Sequence, residues 1–209
     1  MNRRDFTALG LAAAASPIWA SPALAQLEAL PWPDRRLVEQ AAAYLQGLKM
    51  AKGRFTQTSS RGAASAGAFY MSRPGKARFE YDPQFALLVV SDGRNVSVYD
   101  RRLKTFDRSP LGATPLGIFL GRRINFSQDV KVTRLTRTAD GFAIAMVDPR
   151  GNVDGGLVLE FSNAPIALAG WTVLDGQGVE TKVRLVDFSA VDSLDPALFV
   201  LADPRKTAG

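Results

Sequence analysis

The chain is predicted to be a mainly β protein with helices (α+β), built as one strongly curved antiparallel sheet covered by helical segments. Three observations predict this. From Met50 onward, apolar and polar residues alternate at period two in about eleven short runs. Turn residues separate the runs, namely Pro74-Gly75, Asp92-Gly93, Asp140-Gly141 and Gly176-Gln177-Gly178, and connections this short pair neighbours antiparallel as a meander. Helical spacing is found in one stretch before Met50 and one short apolar insert, with a single further turn near the end of the chain. A sheet this long curls, and if it does not close, those helical pieces must cover its concave face.

The elements follow in order. Residues 1–25 read as an export signal. Arg3-Arg4 and Phe6 suggest the twin-arginine route, an uncharged Ala-rich stretch follows, and Ala23-Leu24-Ala25 forms an A-x-A cleavage site. Pro17 and Pro22 argue against the rival reading, an uncleaved membrane anchor. The mature chain, 26–209, is expected to be one soluble domain in the periplasm. Asp34 is placed to cap a helix running to about Leu48, with Leu37, Val38, Ala41, Leu45 and Leu48 on one stripe. The strands are expected at 50–58, 67–73, 76–82, 86–91, 95–100, 103–107, 130–137, 142–147, 156–162, 168–174 and 179–188. Pro110 to Arg123 interrupts them, and Pro115 can open a short helix through Leu120. Leu194 to Leu198 reads as one helical turn before Phe199.

Composition narrows the function. The 209 residues contain neither cysteine nor histidine. That removes disulfides, thiolate metal sites and the commonest general base, so no cofactor or metal is expected. Asp100, Asp107, Asp148 and Asp154 fall at turns or strand ends, where aspartate bonds its own backbone, and no G-x-S-x-G motif is present. A lipid hydrolase is therefore disfavoured and the chain is read as a non-enzyme. The formal net charge of +6 is spread over many segments, with no nucleic-acid motif to accompany it. Attraction to anionic membrane surfaces or an acidic partner is the functional reading of that charge.

Gly67 to Tyr81 (GAFYMSRPGKARFEY) is the most informative stretch. Phe69, Met71 and Arg73 enter the Pro74-Gly75 turn, and Ala77, Phe79 and Tyr81 leave it on the same face. A guanidinium on an apolar face is costly unless something pairs with it.

An ordered set of pieces carries a family resemblance. It comprises Phe55-Thr56-Gln57, Gly67 through Gly75, Phe79-Glu80-Tyr81, Val90-Ser91-Asp92-Gly93, Val98-Tyr99-Asp100, Thr114-Pro115-Leu116, Phe188 and Asp195 to Phe199. Together they resemble the LolA family of periplasmic outer-membrane lipoprotein carriers. The resemblance implies an incomplete β-barrel of about eleven strands with a helical lid over an apolar cavity. It implies that acylated lipoproteins are taken from an inner-membrane ABC transporter and carried to an outer-membrane acceptor or the membrane itself. It implies that Arg73 holds the lid shut through bonds to lid backbone. The family often has tryptophan where Phe79 stands and a larger residue where Ala77 stands, so the cavity shape is expected to differ. The receptor relative is itself lipidated, and the absent cysteine favours the carrier, a monomer without nucleic-acid partners. The expected acyl-chain lining is Phe55, Phe69, Met71, Ala77, Phe79, Tyr81, Leu88, Val90, Val96 and Val98, with Leu116, Phe119 and Leu120 as lid contacts. Both faces of 86–91 are apolar, so the facing of Leu88 and Val90 stays open. A carrier or sensor of another lipid on the same fold is the alternative.

If the leader reading is right, mass spectrometry of the exported protein will find Gln26 at the amino terminus.

Overall fold

The computed structural model describes residues 30–122, 124–126, 130–151 and 154–204. The predicted leader at 1–25 and Arg123 of the insert lie outside the described residues. Each predicted run is a strand, with ends moved by a few residues. They are β1 (Met50–Ser59), β2 (Ala64–Ser72), β3 (Lys76–Tyr81), β4 (Leu87–Asp92), β5 (Asn95–Asp100) and β6 (Thr105–Pro110), then β7 (Lys131–Arg137), β8 (Gly141–Val147), β9 (Gly156–Asn163), β10 (Ile166–Leu174) and β11 (Glu180–Ala190). All eleven form one sheet in the order β6-β5-β4-β3-β2-β1-β11-β10-β9-β8-β7. Most neighbours are sequential, as a meander requires. The exception is central: β1 pairs with β11, while β6 and β7 end as the two edges. The sheet is therefore an open barrel.

Bulges bend it. The β1/β11 register shifts between Lys52 and Arg54, opposite Asp187 at φ 51°, and further shifts lie between Val132 and Arg134 and between Leu168 and Gly170. An extra residue on one strand raises local twist and curvature.

Two helices cover the concave face. Helix α1 (Trp32–Gly47) buries Val38, Ala41 and Leu45 at helical spacing. It starts earlier than the sequence predicts. Pro31 occupies the cap position and its carbonyl accepts the Asp34 N–H at 2.8 Å. The Asp34 carboxylate does not cap; it accepts Arg137 Nη2 at 2.7 Å and so ties α1 to β7. Proline already supplies the fixed φ of a helix start, which frees Asp34 for the ion pair. Helix α2 (Leu116–Leu120) follows a 3-10 turn at Leu111–Ala113 and buries Phe119 and Leu120 completely.

The core lies between sheet and helices. Its largest fully buried side chains include Trp171, Phe55, Phe69, Phe119, Phe142, Ile144, Met146, Leu157 and Leu159. Trp171 joins the two halves, with ring centroids 5.7 Å from Phe69, 5.9 Å from Phe79 and 5.2 Å from Phe119.

The convex face carries a smaller cluster. A 3-10 turn at Pro196–Phe199 packs over β3 and β4, with Phe199 buried and Arg78 Nη1 donating to the Leu198 carbonyl at 3.1 Å. Asp195 caps this turn through the Ala197 N–H. This cover explains why β4 is apolar on both sides.

Trp171→Ala is expected to cost about 3–5 kcal/mol, as for other buried aromatics truncated in a core. Urea denaturation of the two proteins measures it, the midpoint falling with little change in slope.

Candidate functional site

The turn that joins β2 to β3 lies where both cover helices end. Gly75 makes this possible. It sits at φ +80°, a conformation that favours glycine, and a Cβ there would stand 2.7 Å from Gly93 Cα. The Gly75 N–H donates to the Leu120 carbonyl at 2.7 Å, and its own carbonyl accepts the buried Ser91 hydroxyl at 2.6 Å. The Arg73 N–H donates to the Lys49 carbonyl at 2.7 Å. Two backbone bonds and one serine hydroxyl thus pin the hairpin turn before the Arg73 side chain acts.

From that position Arg73 reaches both helices. Its Nη1 donates to the Leu45 carbonyl in the last turn of α1, and its Nη2 donates to the Gly121 carbonyl at the end of α2, at 2.6 Å. Last-turn carbonyls have no partner within their helix and carry the negative end of its dipole. No basic residue of α1 itself lies in that last turn. Arg73 supplies the cation for both helix ends from the sheet. Among the described residues no carboxylate pairs with it, and its Nε is buried without a hydrogen bond. Burial pushes the guanidinium below its ordinary value, but so basic a group stays charged.

Gln46 adds a second tie. Its Oε1 accepts the Ile124 N–H at 3.0 Å, and its Nε2 lies 3.5 Å from the Arg122 carbonyl. Both covering helices are thus fastened where they meet.

Beneath them lies the aromatic face. Phe55 packs edge-on to Phe79 and Tyr81 at 5.5 and 5.0 Å, and Phe69 lies 4.7 Å from Phe79. Tyr81 donates its hydroxyl to Gln57 Oε1 at 2.8 Å, and burial raises its pKa above the ordinary 10.0. The side chains fill the space under the helices by packing on one another.

The profile of the family described as "Outer membrane lipoprotein carrier protein LolA" matches residues 46–202 of this chain. The chain belongs to the LolA family. It is 31% identical over 204 residues to an outer-membrane lipoprotein carrier protein of Bordetella pertussis, covering 88% of this chain and 87% of that one. It is 26% identical over 176 residues to one of Chromobacterium violaceum, covering 80% and 84%. Among solved structures, a DUF1329 family protein from Desulfovibrio piger matches in fold, with a TM-score of 0.50, 9% identity, and 80% of this chain and 97% of that chain covered.

The LolA-family sheet brings Phe55, Phe69, Met71, Ala77, Phe79, Tyr81 and Val96 into one buried cluster with Phe119 and Leu120. Leu116 packs against it partly exposed. Val98 pairs with Val89, which pairs with Phe79, so Val98 lies on the same face. Leu88 and Val90 do not. They pair with Glu80 and Arg78 and so share the convex face, under the Pro196–Phe199 turn. Val89 and Leu87 take the concave positions, because a one-residue change of phase moves a side chain to the other face.

Several residues of this site escaped the sequence reading. Trp171, Phe142, Ile144, Met146, Leu157, Leu159 and Phe161 line the far half of the concave face. Their alternation is plain in Phe142-Ile144-Met146 and Leu157-Leu159-Phe161, but nothing local says that β8 and β9 face the same space as β3. Gln46 carries no sequence signal at all.

Arg73→Leu is expected to destabilise the closed helices by about 1.5–3 kcal/mol for each charge-assisted bond lost. Hydrogen exchange at 116–121 reads it, with protection falling there while β8 and β9 keep theirs.

Proposed function

We propose that this LolA-family protein is a periplasmic carrier of acylated lipoproteins. It takes them from an inner-membrane lipoprotein-releasing ABC transporter and delivers them to an outer-membrane acceptor or the membrane itself. The observation that carries the reading is Arg73, which fastens two helix ends over an aromatic concave face. The names of the relatives agree with it. The proposed acyl-chain site is the concave cluster of Phe55, Phe69, Met71, Ala77, Phe79, Tyr81, Val96 and Val98, with Val89 in place of Leu88 and Val90, under a lid of Leu116, Phe119 and Leu120.

Energetics set what such a carrier needs. Each methylene buried gains about 0.8 kcal/mol, so a chain of about fourteen gains on the order of 10 kcal/mol gross. That protects the lipid from water and opposes its release. The concave side chains pack on each other and on Phe119 and Leu120. An entering acyl chain therefore displaces native contacts and breaks the Arg73 bonds. Both costs are recovered when the cargo leaves. The difference between gross burial and these costs sets the net hold, and Arg73 biases the equilibrium toward the closed, unloaded form.

The test uses the purified protein and a triacylated lipopeptide. The parent is expected to bind it, to ignore the deacylated peptide, and to release it to acceptor vesicles. Arg73→Leu is expected to bind at least as tightly and to unload several-fold more slowly. Equal binding of acylated and deacylated peptide would sink the proposal. Recovery of a glycolipid or phospholipid as the native ligand by mass spectrometry would favour the carrier of another lipid.

A further inference from the structure

At the end of the barrel away from Arg73, the β5–β6 hairpin turns through Asp100-Arg101-Arg102-Leu103-Lys104-Thr105. Leu103 at its tip is 65% exposed, among the most exposed large apolar side chains described. Exposing leucine at a turn tip costs contact with water and gains no fold stability. The turn is nevertheless rigidly built to hold it there. Asp100 Oδ1 accepts the N–H groups of both Arg102 and Leu103 at 2.8 Å, and the Arg101 N–H donates to the Ala86 carbonyl at 2.8 Å. Lys104 takes φ 53°, a left-handed conformation that a lysine pays to adopt.

Charge surrounds the leucine. Arg101, Arg102 and Lys104 are exposed, and none is in an ion pair among the described residues. Asp100, the one acidic residue within 100–105, has its Oδ1 engaged by two backbone N–H groups of the turn. Arg102 and Asp100 also stand at the rim of an open groove lined by Gln57, Tyr81, Phe85 and Leu87. Tyr81 packs edge-on against Phe55, so this groove borders the aromatic face.

We propose that this tip is a docking surface for an anionic lipid bilayer. Leu103 enters the interfacial layer, while Arg101, Arg102 and Lys104 sit at the level of acidic headgroups. An isolated exposed leucine is an ordinary surface feature, and scattered basic residues are an ordinary solvated face. A leucine held at an apex by its own turn and ringed by three cations combines the two signals that reversible membrane attachment uses, apolar insertion and attraction to acidic lipid. An acidic protein would satisfy the cations and leave Leu103 without a purpose, which favours the bilayer. As a step in unloading, the proposal rests on the carrier reading above, but the contact itself does not depend on cargo.

Vesicle flotation of the cargo-free exported protein, with its amino terminus checked by mass spectrometry, tests it. Vesicles of phosphatidylethanolamine and phosphatidylglycerol are compared with phosphatidylcholine, at low salt and at about 0.15 M salt. The parent is expected to float with the anionic vesicles and not with the neutral ones, less so at the higher salt. Arg101→Glu with Arg102→Glu is expected to lower partitioning by on the order of tenfold or more, since each basic residue near an acidic surface is worth about fivefold. Leu103→Asp is expected to lower it several-fold, and Val186→Asp, an exposed apolar residue on β11, to leave it unchanged. Circular dichroism confirms that each variant is folded. Failure of the parent to prefer anionic vesicles overturns the proposal, as does parental binding by both tip variants. Binding to an acidic polypeptide without binding to vesicles also overturns it, in favour of a protein partner. Lipopeptide binding measured in parallel separates the two readings. If the carrier binds lipopeptide but no vesicles, only the tip fails. If it binds vesicles but no lipopeptide, the carrier reading fails and the tip stands.

Discussion

The Arg73 guanidinium bridging the Leu45 and Gly121 carbonyls is the interaction on which the covered state depends. An open sheet of eleven strands has an apolar concave face that water must not reach. The covers available are one helix of four turns or so and one helix of barely more than a single turn. The five-residue helix is far too short to be stable alone, and the longer one only just exceeds the length at which an isolated helix is marginal in water. Burial of Val38, Ala41, Leu45, Phe119 and Leu120 holds their faces down. Their carboxyl ends still expose unpaired carbonyls, and one planar cation with several donors satisfies both.

This arrangement links packing to dynamics. Apolar contacts under the helices are non-directional, so in the proposed carrier an acyl chain would be a fair substitute for Phe119 or Leu120. The Arg73 bonds are directional, and lipid cannot replace them. Under the proposed function, opening therefore loses something that loading does not return. The buried, unpaired Nε keeps the closed state from being tighter than it is.

Period-two alternation reported eleven strands with ends displaced by only a few residues, because half-buried strands record their facing directly. The R-P-G turn pointed to Arg73, because a charge in phase with Phe69 and Met71 is anomalous. The phase of β4 was not legible. Leu87 to Val90 is apolar throughout because the core takes one face and the Pro196–Phe199 turn takes the other. Asp34 looked like a cap by type and place, yet the structure spends it on Arg137, a residue 103 positions away in sequence.

By itself, the sequence determined the element list, the short antiparallel connections, the two covering segments and the residue out of place among them. Those features are local, set by side-chain alternation and turn chemistry within a few residues. The tertiary structure alone decided that β1 pairs with β11, leaving β6 and β7 as edges. It also decided that Trp171 meets Phe79 and Phe119. Bringing the first strand against the last depends on how bulges curve the sheet. That curvature is a sum over the whole sheet, and no window of sequence contains it.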